Sequence, residues 1–121
     1  SFITSVNPDI KKAMEYKQIG DERNEYETLL NGTKANNSYL AFYYLGNYYR
    51  EKNEYMKALD AYNSSVSAKP DFAQAYLSTA ITLFDVGRYE AVINPIDKYL
   101  TFEVIFVTDI RHLPKIIVFF A

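Results

Sequence analysis

The chain says nearly the same thing twice, 34 residues apart. Residues 39–72 read YLAFYYLGNYYREKNEYMKALDAYNSSVSAKPDF, and residues 73–106 read AQAYLSTAITLFDVGRYEAVINPIDKYLTFEVIF. Phe42 falls over Tyr76, Leu45 over Thr79, Gly46 over Ala80, Tyr49 over Leu83, Tyr55 over Tyr89, Ala58 over Val92 and Tyr62 over Ile96. A fixed period of this length marks a stacked repeat: one unit cannot bury its own apolar face, so neighbours bury it for one another. A stack of helix pairs also leaves a groove, which directs the functional reading toward binding.

At 121 residues the chain is expected to form a single domain spanning 1–121, with room for a real core. Thirteen basic residues are scattered among 15 acidic ones, and no basic run exceeds two, so nucleic acid is not expected as a partner. Cysteine is absent, which excludes disulfides and thiolate chemistry. No charged-then-apolar targeting pattern is visible, and a cytoplasmic location is the expectation. Twelve Tyr and 8 Phe make the chain 17% aromatic, and most of these rings fall at helical spacing, as helix-packing core does.

Local signals divide the chain into six helices. Asn7 caps the first, Pro8 suits its opening turn and Asp9 complements its dipole. Ile10, Ala13, Met14, Tyr16 and Ile19 form its apolar stripe, and Gly20-Asp21 ends it. A second helix fits 22–31, with Tyr26, Leu29 and Leu30 inward and Asn31-Gly32 as its stop. Ser38 is placed to cap a helix over 39–51, Lys52-Asn53 turns the chain, and a helix over 54–68 turns Tyr55, Ala58, Leu59, Tyr62 and Val66 inward. Pro70 stops that helix, and Asp71 is placed to cap another over 72–85 with Phe72, Ala75, Tyr76, Thr79, Ala80 and Leu83. Gly87 ends it, and a helix over 88–100 follows with Pro95 near its start, where a kink is expected.

Residues 101–121, TFEVIFVTDIRHLPKIIVFFA, change character. By composition 101–108 and 115–120 look like strands joined by a polar link with Pro114. Glu103, Asp109, Arg111 and Lys115 interrupt the segment, so it is no transmembrane span. Three readings stand side by side: a helix capping the stack, a β-hairpin or intermolecular strand, or a tail without a partner.

With these residues in place, the chain resembles the tetratricopeptide-repeat family, whose 34-residue helix–turn–helix runs bulky residue, Leu-Gly, Tyr, then Ala, aromatic, small residue, Pro. Residues 39–72 match with Phe42, Leu45-Gly46, Tyr49, Ala58, Tyr62, Ser65 and Pro70. Gly46 and Ala58 are small so that paired helices approach closely, while Tyr49 and Tyr62 are expected to fill gaps between neighbouring pairs. Residues 73–106 keep Tyr76, Ala80, Leu83, Gly87-Arg88-Tyr89 and Ala91, but Val104 stands where the proline belongs. Residues 6–38 are a degenerate copy, one residue short, with Ala13, Tyr16, Gly20-Asp21 and Leu29. The resemblance implies an all-α helix–turn–helix repeat stack, an α-solenoid of about three repeats.

Residues for catalysis are hard to find. The lone histidine, His112, lies in the tail; no His cluster or carboxylate set has metal-ligand spacing; and four scattered glycines make no phosphate-cradling loop. No enzyme activity, metal or cofactor is expected. Sequon-like triplets at Asn31, Asn36 and Asn63 carry little weight among so many asparagines.

The resemblance implies a concave face lined by the first helix of each pair. It puts Leu40, Tyr43, Asn47, Arg50 and Glu51 there from the middle repeat. Gln74, Leu77, Ser78, Ile81 and Asp85 come from the next, and Ile10, Met14 and Lys17 from the first. The repeats that grip the carboxyl terminus of heat-shock chaperones need Lys, Asn and Arg here, but Tyr43, Gln74 and Ser78 occupy such places, so that subtype is not expected. Two functions follow as expectations. One is an interaction module that binds a protein or peptide partner in the groove. The other is a self-associating scaffold, a homodimer joined through the tail or an open end face.

Overall fold

In the computed structural model, the backbone of residues 7–109 and the side chains of residues 7–104 are described. The chain divides into two compact units at Pro70/Asp71, close to the seam between the second and third copies of the repeat. The first unit holds α1 (Pro8–Gln18), α2 (Glu22–Gly32), α3 (Tyr39–Glu51) and α4 (Tyr55–Ala68). The second holds α5 (Ala73–Asp85), a 3₁₀ turn (Tyr89–Val92) and α6 (Ile93–Asp109). The described residues contain no strand. This is the all-α helix–turn–helix repeat architecture the period predicts.

The repeat is most exact where the first helix of each pair turns into the second. Gly20, Asn53 and Gly87 have φ of 78°, 61° and 80°, left-handed values that let the chain reverse. Each time the next residue's N–H closes the same bond: Asp21 to the Tyr16 carbonyl, Glu54 to Tyr49 and Arg88 to Leu83, all at 2.9 Å. These are Schellman closures that satisfy carbonyls the helix end leaves open. They also fix the register between copies, with an offset of one residue in the first.

In the first unit the small residues lie where the helices touch. A Cβ on Gly46 would come within 2.5 Å of the Tyr62 ring, so α3 and α4 meet at a distance only glycine allows. Ala58, Ala61 and Tyr62 are buried against it. Tyr62 packs on Gly46 inside its own pair. Tyr49 does join pairs: its hydroxyl lies 2.9 Å from that of Tyr26 on α2, and the Tyr26 ring also packs against Tyr48 at 5.1 Å. Gly32 is not the left-handed stop expected of it. It is buried within α2, where a Cβ would meet Ala41 at 3.0 Å and Asp9 at 3.3 Å, so it acts as a second close-contact glycine.

Asn7 caps α1 as expected, accepting from the Asp9 N–H at 3.2 Å, and its amide donates to the Asn37 carbonyl at 3.3 Å. Asp21 caps α2 by accepting from the Asn24 N–H. The expected cap at Ser38 fails, because its backbone is already helical and it makes no capping bond; at the next helix the N-cap position is Phe72, one residue after Asp71. Ile19 is 74% exposed, because the α1 turn carries it off the apolar stripe.

In the second unit, Ala75 and Ala80 are buried, the Thr82 hydroxyl donates to the Ser78 carbonyl at 2.7 Å, and Tyr76 stacks on Phe102 of α6 at 5.6 Å. The expected helix over 88–100 starts later and runs further. Residues 89–92 form a 3₁₀ turn, and Pro95 lies in the first turn of α6, where a missing N–H costs nothing and no kink is required. Of the readings open for 101–108, the strand does not form and the helix does: α6 continues to Asp109, with the Thr101 hydroxyl bonding back to the Asp97 carbonyl at 2.7 Å. β-branched composition was overridden there by packing of Phe102 onto α5. Expectations for residues 110–121, the second strand and His112 included, lie outside the described residues.

Candidate functional site

Tyr43, Asn47 and Arg50 follow one another at i, i+4 and i+7 on α3 and so share a face. All three are half-buried. The Tyr43 ring is held edge-on to Tyr44 at 5.2 Å and tilted against Tyr62 at 6.0 Å. Asn47 is positioned by the Tyr62 hydroxyl, which donates to its Oδ1 at 2.6 Å. That bond leaves the amide N–H groups of Asn47 available. Arg50 has no ion pair among the described residues.

The remaining candidates separate by burial. Leu40 is 5% exposed and Ser78 6%, so both belong to the packing of their helices and present almost no surface to a partner. Ile10 is buried likewise at 1%, while Met14 is half-buried. Within the second unit Leu77 is half-buried, Gln74 and Asp85 are exposed, and Ile81 is 42% exposed.

Glu51 does structural work that the pattern did not announce. Lys17 of α1 donates to its carboxylate at 2.6 Å and stands 3.9 Å from Glu25 of α2, so one ammonium ties three helices together. Glu25 is the surprise: a carboxylate only 5% exposed, in the register position held by Ala58 and Val92 in the other copies. Burial pushes its pKa up, Glu51 and Glu22 add to the rise, and Lys17 and Lys52 oppose it. The neighbouring rings share this low-dielectric environment, and burial raises Tyr49, with its bond to Tyr26 adding to the effect. Lys52 pairs with Glu22 and lies over the Tyr48 ring at 5.5 Å. The signal that could have found Glu25 was the register itself, since a carboxylate there stands where the other copies have apolar Ala58 and Val92.

Among the described residues, no cluster of His, Cys, Asp and Glu could hold a metal ion, and no helix is long and apolar enough to cross a membrane.

No protein-family model matches the chain, and no curated protein sequence does. Solved structures of MamA, a helical-repeat protein, share its fold. One is 25% identical, with a TM-score of 0.68 over 75% of this chain and 50% of its own. A second is 20% identical at a TM-score of 0.70, over 88% of this chain and 66% of its own. A double mutant of MamA, 14% identical, aligns at 0.71 over 88% of this chain and 63% of its own. The chain thus spans 50% to 72% of the length of such MamA structures, and at these identities the likeness concerns the helical-repeat fold.

Proposed function

We propose that the chain is a tetratricopeptide-type interaction module and that the α3 face takes a segment of a partner protein. Arg50 carries the reading. It is a half-buried guanidinium without a carboxylate partner among the described residues, on a face that also offers a ring and an amide. A partner's acidic side chain would satisfy it through paired hydrogen bonds. Tyr43 supplies apolar contact area at little entropic cost, and the Asn47 amide orients a backbone carbonyl. Repeats in fixed register and the likeness to MamA support a binding role. Recognition is the whole mechanism in this reading, and no reacting group or cofactor takes part. In the second unit Gln74, Leu77 and Ile81 of α5 are offered as a separate surface.

The test is selection from a random peptide library on the immobilised chain, followed by affinity measurement of the enriched peptides. Acid-containing peptides should emerge and should bind Arg50→Met at least tenfold more weakly, a loss of about 1.4 kcal/mol. The exposed control Lys12→Met should leave affinity unchanged. Equal binding to the Arg50 variant would refute the role of this face, and a selection that enriches nothing would refute the module.

A further inference from the structure

Among the described side chains, one face of α6 is apolar and exposed. Ile93, Leu100 and Val104 lie at i, i+7 and i+11 on one face of the helix and are 66%, 52% and 58% exposed. Tyr89, 61% exposed, precedes Ile93 by one turn and packs edge-on against Phe84 at 5.1 Å, itself 60% exposed. Taking roughly 200 Å² for a whole aromatic side chain and 100 Å² for an aliphatic one, the five leave on the order of 400 Å² of apolar surface in water. That is about half of the ~800 Å² each partner contributes to a standard interface, and a polar rim supplies the remainder.

The repeat itself says what kind of surface belongs there. The three Schellman turns put Ile93 in register with Tyr26 of α2. Tyr26 is covered by the next helix, α3, through Tyr48 and Tyr49. The α6 face therefore matches one that, within the first unit, receives another helix. It is not made for α1 of a second copy. There the counterpart of Tyr48 is Glu15, which is exposed beside exposed Lys11 and Lys12. A charged helix face does not repay desolvation of the α6 stripe, and polar outer faces of this kind are what terminal repeats carry.

We propose that α6 pairs with α6 of a second copy, antiparallel and across a two-fold axis. Asp97, which interrupts the apolar stripe, supplies the register. It is adjacent to Lys98, so a two-fold axis passing between these two residues, not through Asp97 itself, sets each Asp97 beside the Lys98 of the other copy, and the charges complement themselves. The stripe residues then cover one another on both sides of the axis. This pairing is independent of the α3 face and survives if that face binds nothing.

The experiment is the solution mass of the full chain by light scattering and sedimentation equilibrium from about 1 to 100 μM. The expected result is a monomer–dimer equilibrium approaching twice 14.0 kDa. The double variant Ile93→Glu/Leu100→Glu changes only exposed positions, and circular dichroism checks that it is folded. Its dimer should be at least tenfold weaker. Asp97→Lys alone should weaken the dimer by juxtaposing like charges, and Asp97→Lys/Lys98→Asp should restore it. Ile19→Glu, an equally exposed apolar position on the α1 side, should have no effect. A full chain that stays monomeric to 100 μM overturns the proposal, as does covering of the stripe by residues 110–121. A dimer indifferent to the Ile93/Leu100 pair, or a charge swap that fails to restore association, also overturns it.

Discussion

Replacing Gly46 with alanine tests the closest contact in the fold. In an exposed helix the change stabilises by about 1 kcal/mol, because glycine has the greater freedom to lose. Here the added Cβ would meet Tyr62 Cε1 at 2.5 Å, Cδ1 at 2.6 Å and Cζ at 2.9 Å. The ring must retreat by roughly 1 Å to reach ordinary contact distance. It has little room: Tyr62 is fully buried, and its hydroxyl is held by Asn47 at 2.6 Å. Overpacking of this kind costs about 1–3 kcal/mol, and loss of the hydroxyl bond adds about 1 kcal/mol. Subtracting the helix-propensity gain leaves a net loss of about 2 kcal/mol. For a chain of this size that lowers the melting temperature by on the order of 8 °C. Thermal unfolding followed by circular dichroism reads it directly. The double variant Gly46→Ala/Tyr62→Leu should lose less than the two single changes together, since removing the ring removes the clash. An unchanged or higher melting temperature for Gly46→Ala would show that α3 and α4 do not approach this closely.

Other consequences follow from particular residues. The folded-state pKa of Glu25 is raised above its ordinary 4.5, so folded protein binds the proton more tightly than unfolded protein does. Its contribution therefore favours folding at acid pH and is lost as pH rises through the raised value; Glu25→Gln should flatten that part of the urea-denaturation profile, and an unaltered slope would count against a buried carboxylate. Asn7→Ala removes a buried cap and the link to Asn37 and should cost about 1–2 kcal/mol in denaturant titration; a loss below ~0.3 kcal/mol would place the anchoring elsewhere. Gly20→Ala and Gly87→Ala meet no atom within 4 Å, yet each should cost about 1 kcal/mol through positive φ alone, and stabilisation at either site would contradict the shared turn geometry.

The turns and the small-residue contacts were legible in the sequence because they obey rules that local chemistry sets. Gly20 and Gly87 announce left-handed turns, and Gly46 with Ala58 announces a close helix pair. Where one of these rules had two uses, the pattern could not choose. Gly32 satisfies the signature of a helix stop, but the space it leaves is filled by Ala41 and Asp9. Ser38 and Asp71 have the chemistry of caps, but the backbone reaches helical geometry before one and after the other. The extension of α6 over 101–109 was ambiguous for a different reason: a run of β-branched and aromatic residues has a strand-like composition, whereas in the fold it continues the helix and Phe102 stacks on Tyr76.

The candidate surface was less legible than the fold, because a repeat uses the same helix face for packing and for recognition. Leu40 and Tyr43 are three residues apart on α3, yet one is sealed and the other half open. Spacing alone puts both on the face, and only their burial in the fold separates them. Asn47 is shared, with its oxygen given to Tyr62 and its N–H groups left over. Glu51 was read as a partner contact but is committed to Lys17. That commitment in turn leaves Arg50 as a cation of this face without an ion pair among the described residues. In the proposed reading, recognition would reside in the donors and charges that packing leaves unsatisfied, and these appear only after the internal bonds are assigned.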